Sequence, residues 1–331
     1  MKLFVFILAL CIGGSTLAQS KKLVFQEPKM GSMFTIQVWA DDSLKASMAA
    51  RQAFAVADSL NLIFSDYLPD SELNQLNETA GSGQAVSVSP HLWAILEVSK
   101  TAWARSKHTF DITVGQLTQL WRKSRKSKEL PDKNTLQTAL ATVGGQYMIL
   151  NDSDHRVQLQ KKGTRLDLGG IGKGYAAQQM LKKMQEAGFE YTLCDAAGNM
   201  AIGKHLQQGW KIGVEWPDRK GEIMEKLLPL SQTAISTSGD AYQSVEINGV
   251  SYSHIVSPKT GLGVTYHRQT TIVTEDAGRA DWLSTACYLL PIQEALRLAE
   301  SEHAELLILE KEGNYLRTYS TAGFKKWFSE E

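Results

Sequence analysis

The sequence predicts an α+β fold built as a single large mixed domain, and three observations support this class. Segments with helical and with strand periodicity follow one another, but they do not alternate as strict strand–helix–strand units. The sequence contains no internal repeat. Of its 331 residues, about 310 follow an apolar leader, which is enough for one large domain or two closely packed ones.

The first eighteen residues have the pattern of a secretory signal peptide. Lys2 supplies a positive charge, Leu3 to Ile12 is apolar, and small residues near Ala18 suit cleavage. We therefore expect a signal peptide at 1–18 and a mature domain at 19–331. The protein should then be exported to the periplasm, as a soluble protein or attached to the inner membrane if the signal is retained.

In the first half of the mature chain, alternating apolar residues predict strands, and alanine and leucine at helical spacing predict helices. Asp70 or Ser71 can cap one short helix. The predicted elements are strands at Leu23 to Gln26 and Phe34 to Trp39, helices at Leu44 to Phe64, around Leu73 and Leu76, at Pro90 to Ser106 and at Leu136 to Val143, and a hairpin from Tyr147 to Gln160.

The second half predicts more strands than helices. Asn248-Gly249 is a strong hairpin turn, and we expect the strands at Trp210 to Val214 and Leu228 to Leu230 to continue the main sheet. The other elements are helices at Tyr175 to Ala187, Gly278 to Leu289 and Gln293 to Ser301, strands at Tyr191 to Cys194, Met200 to Ile202 and Gln269 to Val273, and a closing hairpin of Glu305 to Leu309 with Tyr315 to Tyr319.

Composition narrows the classes of partner. Lys+Arg and Asp+Glu number 35 each, so no overall field favours nucleic acid, and we expect no nucleic-acid partner. The basic run from Arg122 to Lys128 lacks interleaved aromatic residues and is interpreted as a solvated loop. Cys194 and Cys287 stand in apolar contexts, which favours two buried free thiols over a disulfide.

A glycine-rich stretch, Asp167-Leu-Gly-Gly-Ile-Gly-Lys-Gly174, stands directly before a predicted helix. Its glycines let the backbone approach a ligand closely, and the helix start offers unpaired N–H groups that suit phosphates. It is not a Walker A loop, because Gly174 follows Lys173 where Ser or Thr is needed. A dinucleotide fingerprint using Asp195 has a misplaced third glycine, and a turn that only packs a helix on a sheet is a further alternative.

Asp281 and Thr285 are four residues apart, so both side chains share one face of the predicted helix. Together with a carbonyl from the glycine loop they would form an all-oxygen site of the kind that Mg²⁺ takes. An isolated Asp-x-x-x-Thr more often holds a capping or ion-paired aspartate. The Asp-x-x-x-Thr pattern therefore supports a metal site only in combination with the other motifs of the sequence.

Seven motifs in the same order give the chain a resemblance to the FAD:protein FMN transferases, the ApbE-like flavin transferases. The resemblance covers nearly the whole mature sequence. The motifs are Met30-Gly31-Ser32, Tyr67-Leu-Pro-Asp-Ser-Glu-Leu73, Phe110-Asp-Ile-Thr-Val-Gly115, Asp167-Leu-Gly-Gly-Ile-Gly-Lys-Gly174, Ser236-Thr-Ser-Gly239, His254-Ile-Val-Ser-Pro-Lys-Thr-Gly261 and Ala280-Asp-Trp-Leu-Ser-Thr285.

The resemblance implies the α+β domain of this family and Mg²⁺-dependent cleavage of FAD. FMN would pass to a Thr or Ser hydroxyl of an acceptor flavoprotein, which we expect to be a membrane-associated redox protein, and AMP would leave. Position by position, it implies Gly170, Asp281 and Thr285 as metal ligands. It implies flavin-nucleotide contacts for Met30, Tyr67, Thr109, Phe110, Asp111, Asp167, Lys173 and Ile255.

His254 matches the proposed catalytic histidine of the family, and a neutral imidazole is the commonest base for a hydroxyl near pH 7. The sequence departs from the family pattern at Ser257, where an aspartate is usual, and at Gly172, where alanine is usual. If that aspartate orients the histidine or assists the metal, activity would be lower here. Two alternative functions follow: hydrolysis of FAD to FMN and AMP, or non-catalytic binding of FAD by an exported protein.

Overall fold

The computed structural model describes residues 20–217, 219, 221–240, 243–313 and 315–327. The expected signal peptide therefore lies outside the described residues. The helices are α1 (Ser43–Phe64), α2 (Glu72–Glu78), α3 (Pro90–Arg105), α4 (Gly115–Ser127), α5 (Lys133–Leu140), α6 (Gly172–Glu186), α7 (Ala277–Leu289), α8 (Ile292–Ser301) and α9 (Ala322–Lys326).

The strands alternate irregularly with these helices along the chain. They are β1 (Lys21–Lys29), β2 (Ser32–Ala40), β3 (Val86–Ser87), β4 (Met148–Asn151), β5 (Arg156–Leu159), β6 (Thr192–Ala196), β7 (Asn199–Ile202), β8 (Trp210–Ile212), β9 (Leu228–Leu230), β10 (Thr233–Gly239), β11 (Val245–Ile247), β12 (Val250–Tyr252), β13 (His267–Thr274), β14 (Glu305–Glu312) and β15 (Tyr315–Ser320).

One eight-stranded sheet, in the order β1-β2-β6-β7-β10-β13-β14-β15, organises the fold. All seven neighbouring pairs in it are antiparallel. This arrangement confirms the mixed α+β class. It also excludes the dinucleotide-binding alternative, which requires parallel strands joined by helices.

Both faces of the sheet are covered, as the apolar run in β14 illustrates. Leu306 and Ile308 pack with α1, α6 and α7 on one face, whereas Leu307 and Leu309 pack on the other face with Phe324 of α9. Successive side chains of a strand point to opposite faces, so an uninterrupted apolar run is what a doubly covered strand needs.

The structure corrects two predictions of local structure and adds one strand that was not predicted. Trp210 to Val214 and Leu228 to Leu230 do not extend the main sheet, because β8 and β9 pair only with each other. The segment Thr233–Gly239 forms β10, a central strand that the sequence reading left unassigned. The supposed solvated loop at 122–128 lies mostly within α4.

Two further features of the described residues bear on earlier expectations. Cys194 and Cys287 are both buried and unpaired. Ser71, rather than Asp70, caps α2 by accepting a hydrogen bond from the Asn74 N–H. No helix in the described part of the chain combines the length and the apolar character needed to span a bilayer.

Helices α6 and α7 meet at Gly174, which has no room for a side chain. A Cβ there would lie 2.1 Å from the carbonyl oxygen of Ala277 and 2.6 Å from the Cβ of Asp281. The approach lets the Gly174 N–H donate a hydrogen bond of 2.8 Å to Oδ2 of Asp281. The glycine loop is thereby fixed against α7.

We expect Gly174→Ala to destabilise the protein by about 1–3 kcal/mol, because the added methyl group forces the two backbones apart. Gly172→Ala is the matched control, since its Cβ would meet only Leu168 and Phe64 at 3.9 and 4.0 Å. The control should be neutral or stabilising by up to about 1 kcal/mol. Urea unfolding of both variants measures the difference, and equal stabilities would contradict the close contact.

Candidate active site

A cavity of about 500 Å³ opens between the end of the main sheet, the glycine loop and α4. All twelve residues predicted to form a site line this cavity, although they come from segments far apart in the sequence. They are Met30, Tyr67, Thr109, Phe110, Asp111, Asp167, Gly170, Lys173, His254, Ile255, Asp281 and Thr285. The structure brings the residues together without itself assigning a role to any of them.

The glycine loop brings its backbone against two other parts of the site. A Cβ on Gly170 would lie 3.1 Å from the Phe110 ring and 3.3 Å from Oγ1 of Thr285. The loop leads directly into α6, which begins at Gly172. A side chain at 170 would therefore require the Phe110 ring or the Thr285 side chain to move by a few tenths of an ångström.

Asp281 is a buried carboxylate, only 4% exposed. Burial raises its pKa to about 6, although the charge of Lys173 and the hydrogen bond from Gly174 favour the ionised form. Oδ2 accepts that bond, and no hydrogen bond to Oδ1 is found within the described residues. An oxygen of this carboxylate is thus left for a ligand.

Thr285 lies one helical turn beyond Asp281 and faces the same cavity. Its hydroxyl is 3.3 Å from Oγ of Ser238, which is also 2.8 Å from Oγ of Ser284. Within the described residues, no group of three or more His, Cys, Asp or Glu side chains is placed to hold a metal. A cation here would have to combine the one carboxylate with hydroxyl, carbonyl and substrate oxygens, which fits Mg²⁺.

Arg122 connects two loops of the site, and the sequence reading missed it. From α4 it binds Oδ2 of Asp66 at 2.5 Å and Oδ2 of Asp167 at 2.9 Å. Its guanidinium carbon also lies 4.2 Å from the centre of the Tyr67 ring. Arg122 therefore fixes Tyr67, which is otherwise 72% exposed, relative to the glycine loop.

Asp167 and Asp111, which are predicted to contact the flavin nucleotide, also accept hydrogen bonds from the protein. Oδ1 of Asp167 accepts a hydrogen bond from the Gly169 N–H, while Oδ2 accepts from Thr118 and Arg122. Asp111 accepts from the N–H and hydroxyl of Thr113 and from the Gly145 N–H. These bonds hold the loops that shape the cavity. The bonds to Asp111 also satisfy the polar oxygens of this buried carboxyl group, which lowers the cost of burying it.

His254 lies at the cavity wall with its Nδ1 buried and without a hydrogen-bond partner in the described residues. Burial, together with the positive charges of Arg125 and Lys173, lowers its pKa to about 4. The backbone beside it is fixed, because Trp121 Nε1 donates to the Ser253 carbonyl at 3.0 Å. The imidazole is therefore neutral at pH 7 and able to accept a proton.

Ser257 stabilises the turn that follows His254 by accepting two hydrogen bonds. Its hydroxyl accepts a hydrogen bond of 3.3 Å from the Lys259 N–H, and its carbonyl accepts one of 2.8 Å from the Gly261 N–H. Ser and Asp side chains both form local turns of this kind. The departure from aspartate at this position is thus conservative for the backbone, and the hydrogen bonds of Ser257 do not involve the imidazole.

The fold and the cavity define an α+β protein whose site combines a buried carboxylate with a neutral histidine. A model of the ApbE family matches residues 30–308. The chain belongs to the ApbE family.

Similar proteins agree with this assignment over nearly their full lengths. The FAD:protein FMN transferase of Haemophilus influenzae is 25% identical over 318 residues, covering 93% of this chain and 92% of the relative. The apo crystal structure of the Pseudomonas stutzeri flavinyl transferase ApbE is 26% identical, with a TM-score of 0.82 over 94% of this chain and 98% of that one. The ApbE protein of Thermotoga maritima is also 26% identical, with a TM-score of 0.81 over 94% of this chain and 100% of that one.

The lowered pKa of His254 predicts how the stability of the protein depends on pH. Between pH 6.5 and about 4 the unfolded chain binds a proton at this position that the folded chain does not, so the unfolding free energy falls as pH falls through this window. The unfolding free energy should therefore fall by about 1–3 kcal/mol less between pH 7 and pH 4.5 in His254→Asn than in the wild type. Urea unfolding at pH 7 and pH 4.5 measures it.

The exposed His303→Asn variant is the matched control for the loss of one histidine. Titration of the imidazole protons by NMR provides a direct check in the wild-type protein. A His254 resonance that titrates near pH 6.5 would contradict the burial argument.

Proposed function

We propose that this protein transfers FMN from FAD to a Ser or Thr hydroxyl of an acceptor protein and releases AMP, with Mg²⁺ bound at Asp281. The observation that carries the proposal is the shared cavity. It combines a buried carboxylate with an unused oxygen, the Lys173 end of the glycine loop and a neutral His254. The relatives named FAD:protein FMN transferase support it independently.

The cavity offers separate places for the parts of FAD. Met30, Tyr67 and Phe110 supply apolar and aromatic surface for ring systems. Lys173 stands in the first turn of α6 and lines the cavity, where its ammonium and the positive end of the helix dipole favour a pyrophosphate. A volume of about 500 Å³ lies within the usual range for small-molecule sites.

The residues fit a magnesium site made of oxygen ligands. Asp281 would supply a carboxylate oxygen, Thr285 its hydroxyl and Gly170 its carbonyl, and substrate and water oxygens would complete the shell. When bound, Mg²⁺ would supply a Lewis acid that polarises the phosphate oxygens of FAD.

The chemical step is a displacement at the FMN-side phosphorus. The acceptor hydroxyl oxygen forms a bond to this phosphorus, and the bond from phosphorus to the bridging oxygen breaks, so AMP leaves with that oxygen. His254 accepts the hydroxyl proton at a ring nitrogen, for which its neutral state is required. Lys173 offsets negative charge that develops on the phosphate oxygens.

We further propose that the reaction takes place outside the cytoplasm, on a membrane-associated redox protein. The signal-peptide pattern at 1–18 motivates the location. Covalent attachment would keep a flavin on a protein in a compartment where a free cofactor is diluted.

The decisive experiment incubates the mature protein with FAD, Mg²⁺ and a candidate acceptor from the same cell. Mass spectrometry of the acceptor should show a gain equal to FMN minus water, on a Ser or Thr. Chromatography of the small molecules should show AMP in equal amount. Free FMN without labelled acceptor would indicate hydrolysis instead, and intact FAD would indicate a binding protein.

Asp281→Asn tests the metal assignment. Turnover should fall by at least about 10²-fold, because a charged metal ligand is replaced by a neutral amide. Mg²⁺ should raise the melting temperature of the wild-type protein but not that of the variant. The metal-free variant should be at least as stable as the wild type, since burying this carboxylate raises its pKa and costs free energy when it is charged.

Asp276→Asn is the matched control at the start of the same helix. Asp276 is exposed and caps α7 through the Arg279 N–H, which an asparagine can also do. The control should keep turnover and the response to Mg²⁺. Near wild-type turnover of Asp281→Asn at low Mg²⁺ would remove Asp281 from the metal site.

A further inference from the structure

Helix α4 places a second guanidinium at the cavity besides that of Arg122. Arg125 stands three residues further along, so the two side chains share a face of the helix, and both line the cavity. They differ in their partners. Arg122 is held by Asp66 and Asp167, whereas no carboxylate lies within ion-pair distance of Arg125 among the described residues.

The state of Arg125 is energetically unfavourable without a ligand. Its Nε is buried and has no hydrogen-bond partner within the described part of the chain. Burial lowers the pKa of its guanidinium, and the positive charge of Arg122 acts in the same direction. A buried donor on a cation costs free energy unless an acceptor completes it. An anion in the cavity would provide that acceptor.

The position of Arg125 indicates which anion it would bind. Its charge and that of Lys173 both act on His254, so the two cations and the imidazole lie around the same part of the cavity. A base that takes the proton of an attacking hydroxyl must be close to the phosphorus under attack. In the proposed reaction this is the FMN-side phosphorus of FAD.

We propose that Arg125 binds the non-bridging oxygens of the FMN-side phosphate of FAD, the phosphate that is transferred. The inference rests on the proposed function and adds a residue to it. A guanidinium can donate two parallel hydrogen bonds to a phosphate, and charge on these oxygens grows during displacement. Lys173 remains free for the other oxygens of the pyrophosphate.

A purely structural role for Arg125 is the alternative to be separated. Arg125 and Lys126 both lie in the last turn of α4, where positive charge complements the helix dipole. Lys126 is exposed and does not line the cavity. Lys126→Gln therefore removes the same charge from the same turn without touching the proposed phosphate contact.

The test compares Arg125→Gln, Arg125→Lys and Lys126→Gln with the wild type in binding titrations of FAD, FMN, riboflavin and AMP, all with Mg²⁺. We expect Arg125→Gln to weaken binding of FAD and FMN by about 10- to 100-fold, the usual effect of losing a charged hydrogen bond. Riboflavin and AMP, which lack the FMN phosphate, should change by less than about threefold. Arg125→Lys should recover part of the loss, and Lys126→Gln should match the wild type.

Each other outcome overturns the inference. Equal weakening of riboflavin and FMN would make Arg125 a packing residue, and weakening of AMP rather than FMN would place it at the other phosphate. Unchanged FAD binding in Arg125→Gln would remove it from the site. Circular dichroism of each variant verifies folding, and a misfolded Arg125→Gln leaves Arg125→Lys against Lys126→Gln as the deciding pair.

Failure of the proposed function is recognised separately. A wild-type protein that binds no FAD would overturn both proposals. A wild type that binds FAD and labels its acceptor, while Arg125→Gln does so with equal affinity, would overturn only the role of Arg125.

Discussion

The contact between Gly174 and α7 is the constraint on which the site depends. Because position 174 has no side chain, the N–H at the start of α6 reaches Oδ2 of Asp281 at 2.8 Å. This bond orients a carboxylate that the interior would otherwise leave unpaired, and it fixes the glycine loop beside Thr285. The same close packing thus sets the distance between Lys173, at the start of α6, and the proposed metal ligands.

Arg122 supplies a second constraint, between α4, the Tyr67 loop and the glycine loop. Desolvation raises the pKa of Asp66, and the nearby charge of Asp167 acts in the same direction. The guanidinium of Arg122, which lies between the two carboxylates, opposes both effects at Asp66. Removing this one cation would release the Tyr67 loop and leave two buried carboxylates in mutual repulsion.

The sequence was sufficient for the fold class, for most element boundaries to within a few residues, and for twelve of the residues that line the cavity. Periodicity identified the strand pair at the amino-terminal end, because burial alternates along both strands. The helix carrying Asp281 was also predicted, although it is buried on nearly all sides. Periodicity failed for α4, whose only large buried side chains are Leu117 and Trp121, so that the arginines and lysines dominated the pattern. It could not foresee that Asp111 is satisfied by Gly145, since the two residues are distant in sequence.

Three groups in the cavity are in unfavourable electrostatic environments, and the proposed ligands would relieve two of them. Asp281 has a raised pKa, His254 has a lowered pKa, and Arg125 lacks an anion. Each is unfavourable in the protein alone, but a divalent cation at Asp281 and a phosphate at Arg125 would correct the first and the last. The phosphate would also offset the positive charge that acts on His254, and so make the imidazole more basic when substrate is bound than when the site is free.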